Sequence, residues 1–75
     1  MRKSAEELRA SLALALSEPA VVATANEYEG VMAALRTARC EGAPESAVEA
    51  LRFAAHAANR RAHRALLDAY ARHGV

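Results

Sequence analysis

The sequence is poor in the residues that build large cores and metal sites. Its 75 positions hold one cysteine, two prolines, three aromatic residues, no tryptophan and no isoleucine. A single cysteine excludes a disulfide framework and a cysteine-rich metal site, and it favours a reducing compartment. No apolar run approaches the roughly 20 residues of a membrane span, and Glu6, Glu7 and Arg9 interrupt the region where a secretory signal would be apolar. We therefore expect a cytoplasmic protein without a membrane partner.

Alanine dominates what is present. Of the 40 apolar residues, 21 are alanine and eight are leucine. A chain of this length predicts one domain over residues 1–75, near the size at which a single core is barely sufficient. Small side chains bury little area, so we expect low stability in isolation and a gain in stability from a partner.

The net charge of +1 conceals an asymmetry. Residues 1–30 hold five acids and three bases, whereas residues 31–75 hold seven bases and four acids. A net charge of −2 beside one of +3 is too mild to indicate nucleic-acid binding without other signals.

Capping and turn signals divide the chain into three helices. Ser4 and Glu7 have the spacing of a capping box. Pro19 disfavours helical geometry at the residue before it, so a break near that point is favoured over one long kinked helix. Gly42 suits the left-handed residue after a helix, and Pro44 suits the start of the next helix. The predicted helices span about residues 4–17, 20–40 and 45–73.

Apolar residues at alternating steps of three and four predict how these helices pack. In the last helix this seam consists of Val48, Leu51, Ala55, Ala58, Ala62, Ala65 and Ala69. In the second helix it consists of Val21, Ala25, Tyr28, Met32 and Leu35. A short link between two long helices makes them antiparallel neighbours. The predicted fold is all-α, an antiparallel helical hairpin with a short additional N-terminal helix.

The last helix is also apolar away from this seam. Phe53, Ala57 and Leu67 lie on its opposite side, with Tyr70 at the flank. A second apolar arc in so small a protein predicts a second neighbour, and these four residues are the candidate partner-binding residues. Phe53 is the natural anchor because aromatic side chains dominate such contacts.

Two other arrangements remain open at this point. The first helix could fold back so that Leu8 and Leu12 cover Phe53, which would then be a core residue. Alternatively, two hairpins could pair into a four-helix bundle, so self-association of the isolated chain is a rival to a heterologous partner.

No residue pattern in the chain predicts catalysis. His56 and His63 are seven residues apart, about two helical turns, which is too far for one metal ion. Cys40 lies near a helix C-terminus with no neighbouring base, so it is expected to be an incidental thiol. We predict a protein that is not an enzyme, with no catalytic, cofactor-binding or metal-binding residues.

A basic cluster keeps a nucleic-acid reading open. Arg60, Arg61 and Arg64 could contact phosphates. However, Arg61 and Arg64 diverge around the helix, and no aromatic stacking set accompanies them. A solvated face is the default interpretation, and a nucleic-acid-binding or regulatory hairpin is the alternative.

The layout resembles a known family, on four stretches of sequence. These are residues 5–8 (AEEL), 33–36 (AALR), 41–44 (EGAP) and 54–58 (AAHAA). Together they are similar to the E-component co-chaperone of the type III secretion needle subunit (the YscE/PscE type). The resemblance covers nearly the whole chain, but the basic cluster and residues 70–73 have no counterpart in it.

The resemblance implies a chaperone function in protein transport. It implies a cytoplasmic protein that binds a TPR-like co-chaperone through protein–protein interaction. The pair would then hold the needle subunit as a monomer before export, in a heterotrimer.

Overall fold

The computed structural model describes residues 2–75 and forms three α-helices within that range. They are α1 (Ala5–Leu16), α2 (Pro19–Cys40) and α3 (Glu45–Arg72). The predicted all-α hairpin with a short N-terminal helix is confirmed. The helix ends differ from the predicted ends by at most one residue.

The local signals act as the sequence indicated. The Ser4 hydroxyl accepts a hydrogen bond from the backbone N–H of Glu7 at 3.2 Å, which caps α1. Pro19 is the first residue of α2, where its missing N–H costs nothing. The axes of α1 and α2 differ by 64° across this junction, so the two are separate helices.

A Schellman motif ends α2 at the hairpin bend. Gly42 has a φ of +67°, the left-handed conformation that only glycine adopts cheaply. The N–H of Gly42 donates to the carbonyl of Arg39 at 3.3 Å, and the N–H of Ala43 donates to that of Ala38 at 2.9 Å. The chain then reverses into α3, so α2 and α3 are antiparallel.

The core lies along the facing sides of α2 and α3 and is made of small residues. We call the predicted face of α3, Val48 to Ala69 at alternating steps of three and four, the inner seam. Its seven members are all buried or half-buried. The buried residues of the described chain are Ala15, Val21, Leu35, Val48, Ala55, Ala58 and Ala69. Four of these seven are alanine, so the interior contributes little apolar area.

One residue of the predicted seam of α2 is neither buried nor half-buried. Ala25 is exposed, which corrects its placement in the core. It lines a surface depression of about 280 Å3 together with Leu16, Ala62 and Leu66. The small side chains of Ala25 and Ala62 do not fill this depression, which stays open to solvent.

The N-terminal helix packs on the far end of α3. Ala15 joins Val21 and Ala69 in one buried cluster, against which Tyr70 packs. At the start of the chain, the Lys3 ammonium donates to the carbonyl of His73 at 2.7 Å. The alternative in which α1 covers Phe53 is therefore wrong. The Ala15 cluster lies 16 residues further along α3, about 24 Å at the helical rise of about 1.5 Å per residue.

A polar contact fastens the junction of α1 and α2 to the end of α3. The guanidinium of Arg72 donates to the Glu18 carboxylate through Nη2 at 2.7 Å and Nε at 3.0 Å. The Nε2 atom of His73 lies 3.0 Å from the other carboxylate oxygen. The hydrogen bond from Arg72 lowers the pKa of Glu18 below its ordinary value of 4.5, and the nearby charges of Arg72 and His73 lower it further. The same hydrogen bond raises the pKa of Arg72.

The three helices form a rod of 54 × 18 × 17 Å. Within residues 2–75, no helix taken singly has the length and apolarity of a membrane span. The bent α1–α2 pair reaches both only when its two helices are counted together.

Candidate protein-binding surface

A second heptad-like seam runs along α3 on the side away from α2. Its members follow one another at alternating steps of three and four, as the inner seam does, but about half a turn of the helix away. We call this set the outer seam: Ala50, Phe53, Ala57, Arg60, Arg64, Leu67 and Ala71. Because α2 and α1 pack elsewhere, no described element covers it.

The two large apolar residues of the outer seam are exposed. Phe53 is 71% exposed and Leu67 is 51% exposed, whereas Ala57 between them is half-buried. Phe53 is the most exposed of the large hydrophobic residues in the described chain. Fully burying a side chain of this kind stabilises a complex by roughly 1.5–3 kcal/mol. Phe53, the anchor residue that the sequence indicated, is therefore not part of the hairpin core.

Two arginines occupy the middle of the outer seam. Phe53 and Leu67 each lie seven residues from Arg60, about 10 Å along the helix at about 1.5 Å per residue. Within residues 2–75, neither Arg60 nor Arg64 forms an ion pair. The seam is therefore apolar at both ends and positively charged between them.

The third arginine of the basic cluster belongs to a different surface. Arg61 pairs with Glu27 of α2, so it bridges the two arms of the hairpin. Arg52 and Arg72 are also paired, with Glu49 at 3.3 Å and Glu18 at 2.7 Å. Most of the positive charge of α3 is thus neutralised locally, and Arg60 and Arg64 stand out from it.

Tyr70 lies apart from the other predicted partner-binding residues. It is half-buried and packs against the cluster of Ala15, Val21 and Ala69 at the α1 end of the molecule. The structure brings Phe53, Ala57 and Leu67 onto one face and places Tyr70 at the base of α1. The outer seam consequently gains Arg60 and Arg64 and does not include Tyr70.

Surface depressions in this molecule are shallow and lie along its helices. One, of about 490 Å3, is lined by residues of α3 alone, among them Arg60, Arg64, Leu67 and Asp68. A second, of about 350 Å3, runs between α2 and α3 past Tyr28, Met32 and His56. A depression lined by a single helix cannot enclose a small ligand. The first depression is therefore an open surface beside the outer seam, which suits a macromolecular partner better than a small molecule.

The candidate chemical groups are dispersed. In the described part of the chain, no three His, Cys, Asp or Glu side chains are grouped to hold a metal ion. Cys40 is an exposed free thiol in the last turn of α2. His56 and His63 line two different depressions between α2 and α3. No arrangement of these groups forms a nucleophile with a paired base.

Sequence reasoning found Phe53, Ala57 and Leu67 of the outer seam but missed Ala50 and the two arginines as members. A search for apolar residues at helical spacing skips positions 60 and 64, because both are charged. The step pattern from Ala50 to Ala71 is continuous only when the arginines are counted. The signal that could have found Arg60 and Arg64 is the alternating spacing of three and four residues, applied without regard to polarity.

Comparisons with protein-family models, curated proteins and solved structures found no match to this chain.

Proposed function

We propose that this protein is a non-catalytic subunit that binds a helical partner through the outer seam. The observation that carries the proposal is the 71% exposure of Phe53 on the uncovered face of the longest helix. Exposed aromatic residues with such area are the usual anchors of protein interfaces. The small buried area of the core supports the same conclusion. A chain with so little buried area gains stability from a partner that binds only its folded state.

The specific form of the proposal is a co-chaperone of type III secretion. In this form the chain binds a TPR-like co-chaperone, and the pair keeps the needle subunit monomeric in the cytoplasm. Support comes from the resemblance in four stretches of sequence, together with the hairpin and the short N-terminal helix. A helical-repeat protein offers stacked helices against which a long apolar-ended seam can lie.

The deciding experiment is a pull-down after co-expression. The gene neighbourhood should encode a TPR-like protein and a short needle-like polypeptide, and both should be co-purified with this chain. Phe53→Ala is expected to weaken the binding of the TPR-like partner by about 2 kcal/mol or more, since the anchor is lost. The helix content of the isolated chain should be unchanged, because Phe53 contributes little to the core.

Leu14→Ala provides the matched control. Leu14 is 57% exposed on α1, away from the outer seam, so its truncation should leave partner binding unaltered. If Phe53→Ala unfolds the isolated chain, or if it binds the partner as tightly as the wild type does, the outer seam is not the interface. Co-purification of neither neighbour would reject the secretion form of the proposal.

A further inference from the structure

The charge of the outer seam restricts what can cover it. At the centre of a helix–helix seam, side chains from both helices are removed from water and face one another. Arg60 is the central member of the outer seam and Arg64 is the next, and both lie between the apolar residues Phe53 and Leu67. A guanidinium that loses water without gaining an acceptor is strongly destabilising. Any stable occupant must therefore supply acceptors at these two positions.

A second copy of this chain does not meet that requirement. In a parallel pair along the outer seam, Arg60 and Arg64 would each lie opposite themselves. In an antiparallel pair centred between Phe53 and Leu67, Arg60 would lie opposite Arg60 of the other copy. Like charges at facing seam positions repel and specify against that pairing. Self-association through this face is disfavoured although its ends are apolar.

The acidic residues of α3 do not neutralise this pair. Glu49 is occupied by Arg52 at 3.3 Å. Asp68 lines the same depression as Arg60 and Arg64, but within the described residues no ion pair joins it to either. The two guanidiniums are thus available to an outside partner.

We propose that the outer seam selects an amphipathic helix of another protein that carries two carboxylates between apolar ends. The Asp or Glu side chains of that helix would accept hydrogen bonds from Arg60 and Arg64, and its apolar residues would cover Phe53 and Leu67. Arginine suits this role because its planar group binds a carboxylate with two parallel hydrogen bonds. This inference rests on the proposed function, and it adds the chemistry of the partner.

Two synthetic helical peptides test the selection directly. Both have leucine at the seam positions and differ only at the two central ones, which are Glu in one peptide and Lys in the other. The wild-type chain is expected to bind the Glu peptide roughly tenfold or more tightly than the Lys peptide at low salt. The difference should shrink as salt is added. Arg60→Glu/Arg64→Glu should reverse the preference.

The outcomes separate this inference from the proposed function. If Phe53→Ala weakens binding of the Glu peptide but the double charge reversal leaves the preference unchanged, the seam is an interface and the charge assignment is wrong. If neither peptide binds, or both bind equally to the wild type, the selection is also overturned. Failure of the natural partner to respond to Phe53→Ala would instead reject the proposed function.

A second measurement needs no partner at all. Arg60→Leu/Arg64→Leu makes the outer seam apolar throughout, so this variant is expected to dimerise in sedimentation equilibrium while the wild type stays monomeric. Arg9→Leu/Arg36→Leu makes the same change of composition at exposed positions outside the seam and should stay monomeric. A wild-type dimer that Phe53→Ala dissociates would overturn the inference, and so would a monomeric Arg60→Leu/Arg64→Leu.

Nucleic acid is tested with the same variants. Fluorescence anisotropy with a labelled DNA duplex and a labelled RNA single strand should show no binding that depends on Arg60 and Arg64. Binding at physiological salt that the double charge reversal abolishes would overturn the inference in favour of a nucleic-acid ligand.

Discussion

Gly30 in the middle of α2 and Gly42 at the bend after α2 differ in whether the backbone requires a glycine. Gly30 lies in the middle of α2 on its exposed side, and a Cβ atom built there meets no atom within 4 Å. Gly42 is equally uncrowded, but its φ of +67° belongs to the left-handed region. Space is therefore available at both positions, and only the backbone conformation distinguishes them.

Gly30→Ala is expected to stabilise the protein by about 0.4–1 kcal/mol, because alanine restricts the unfolded chain and favours the helix. Gly42→Ala is expected to destabilise it by about 1–2 kcal/mol, because a Cβ atom is strained in the left-handed region. Urea unfolding followed by circular dichroism measures both, and each variant serves as the control for the other. Equal effects of the same sign would contradict this assignment.

For individual residues, the sequence predicted the local features of the helix ends but not the contacts between helices. The left-handed Gly42 and the cap at Ser4 follow from local rules that need no tertiary contact. The exposure of Ala25 was not predictable, because whether an alanine is covered depends on how far apart two helices lie. The contact of Lys3 with the carbonyl of His73, 70 residues away, has no local signal either.

Among the elements, α1 is attached most weakly to the rest of the molecule. Ala15 is its only buried residue, and Leu8, Leu14 and Leu16 are at least 40% exposed. The contact of Glu18 with Arg72 and His73 holds the α1–α2 junction against the end of α3. The hold of α1 therefore depends on a polar contact as well as on apolar burial.

This contact makes stability depend on pH. Because the pKa of Glu18 in the folded state is lower than its ordinary value of 4.5, its contribution is present above pH 4.5 and is lost as the pH falls through the folded-state pKa. Glu18→Gln should lower the melting temperature at neutral pH, and the gap from the wild type should close on acidification. Thermal melts of both proteins, from neutral pH down through pH 4.5, measure this gap.

Glu29→Gln is the control for that series. Glu29 is exposed on α2 and, in the described part of the chain, forms no ion pair. Its melting temperature should follow that of the wild type at every pH. A gap between Glu18→Gln and the wild type that stays constant on acidification would show that the carboxylate charge is not what holds the junction.

The placement of α1 also marks the limit of sequence reasoning about elements. Helix periodicity identifies α1 and its apolar side, but not which part of the hairpin that side contacts. The 64° turn at Pro19 and the cluster of Ala15, Val21 and Ala69 decide it, and both depend on the assembled hairpin. The exposure of Phe53 follows from that placement.

Because the whole molecule buries little apolar area, its stability depends on a few large buried side chains. Leu35, 4% exposed, is the only leucine among the buried residues of the described chain. Leu35→Ala should cost about 2–4 kcal/mol. This is a large part of the total stability of about 4–11 kcal/mol expected for 75 residues at roughly 0.05–0.15 kcal/mol per residue. The melting temperature should fall by about 10 °C or more.

Leu14→Ala measured in parallel separates burial from composition. It removes the same atoms at a 57% exposed position, so its melting temperature should stay close to that of the wild type. If the two variants melt together, Leu35 does not carry the core as the structure indicates.

The elongated outline has a consequence for how this molecule travels through solution. Its radius of gyration is 16.4 Å, whereas a compact chain of this length would have about 11 Å. A lone copy will tumble slowly and leave a gel-filtration column early, at the volume of a heavier globular protein. Elution volume calibrated with spherical standards would therefore overestimate the mass of one chain, and only mass-based detection gives the correct count.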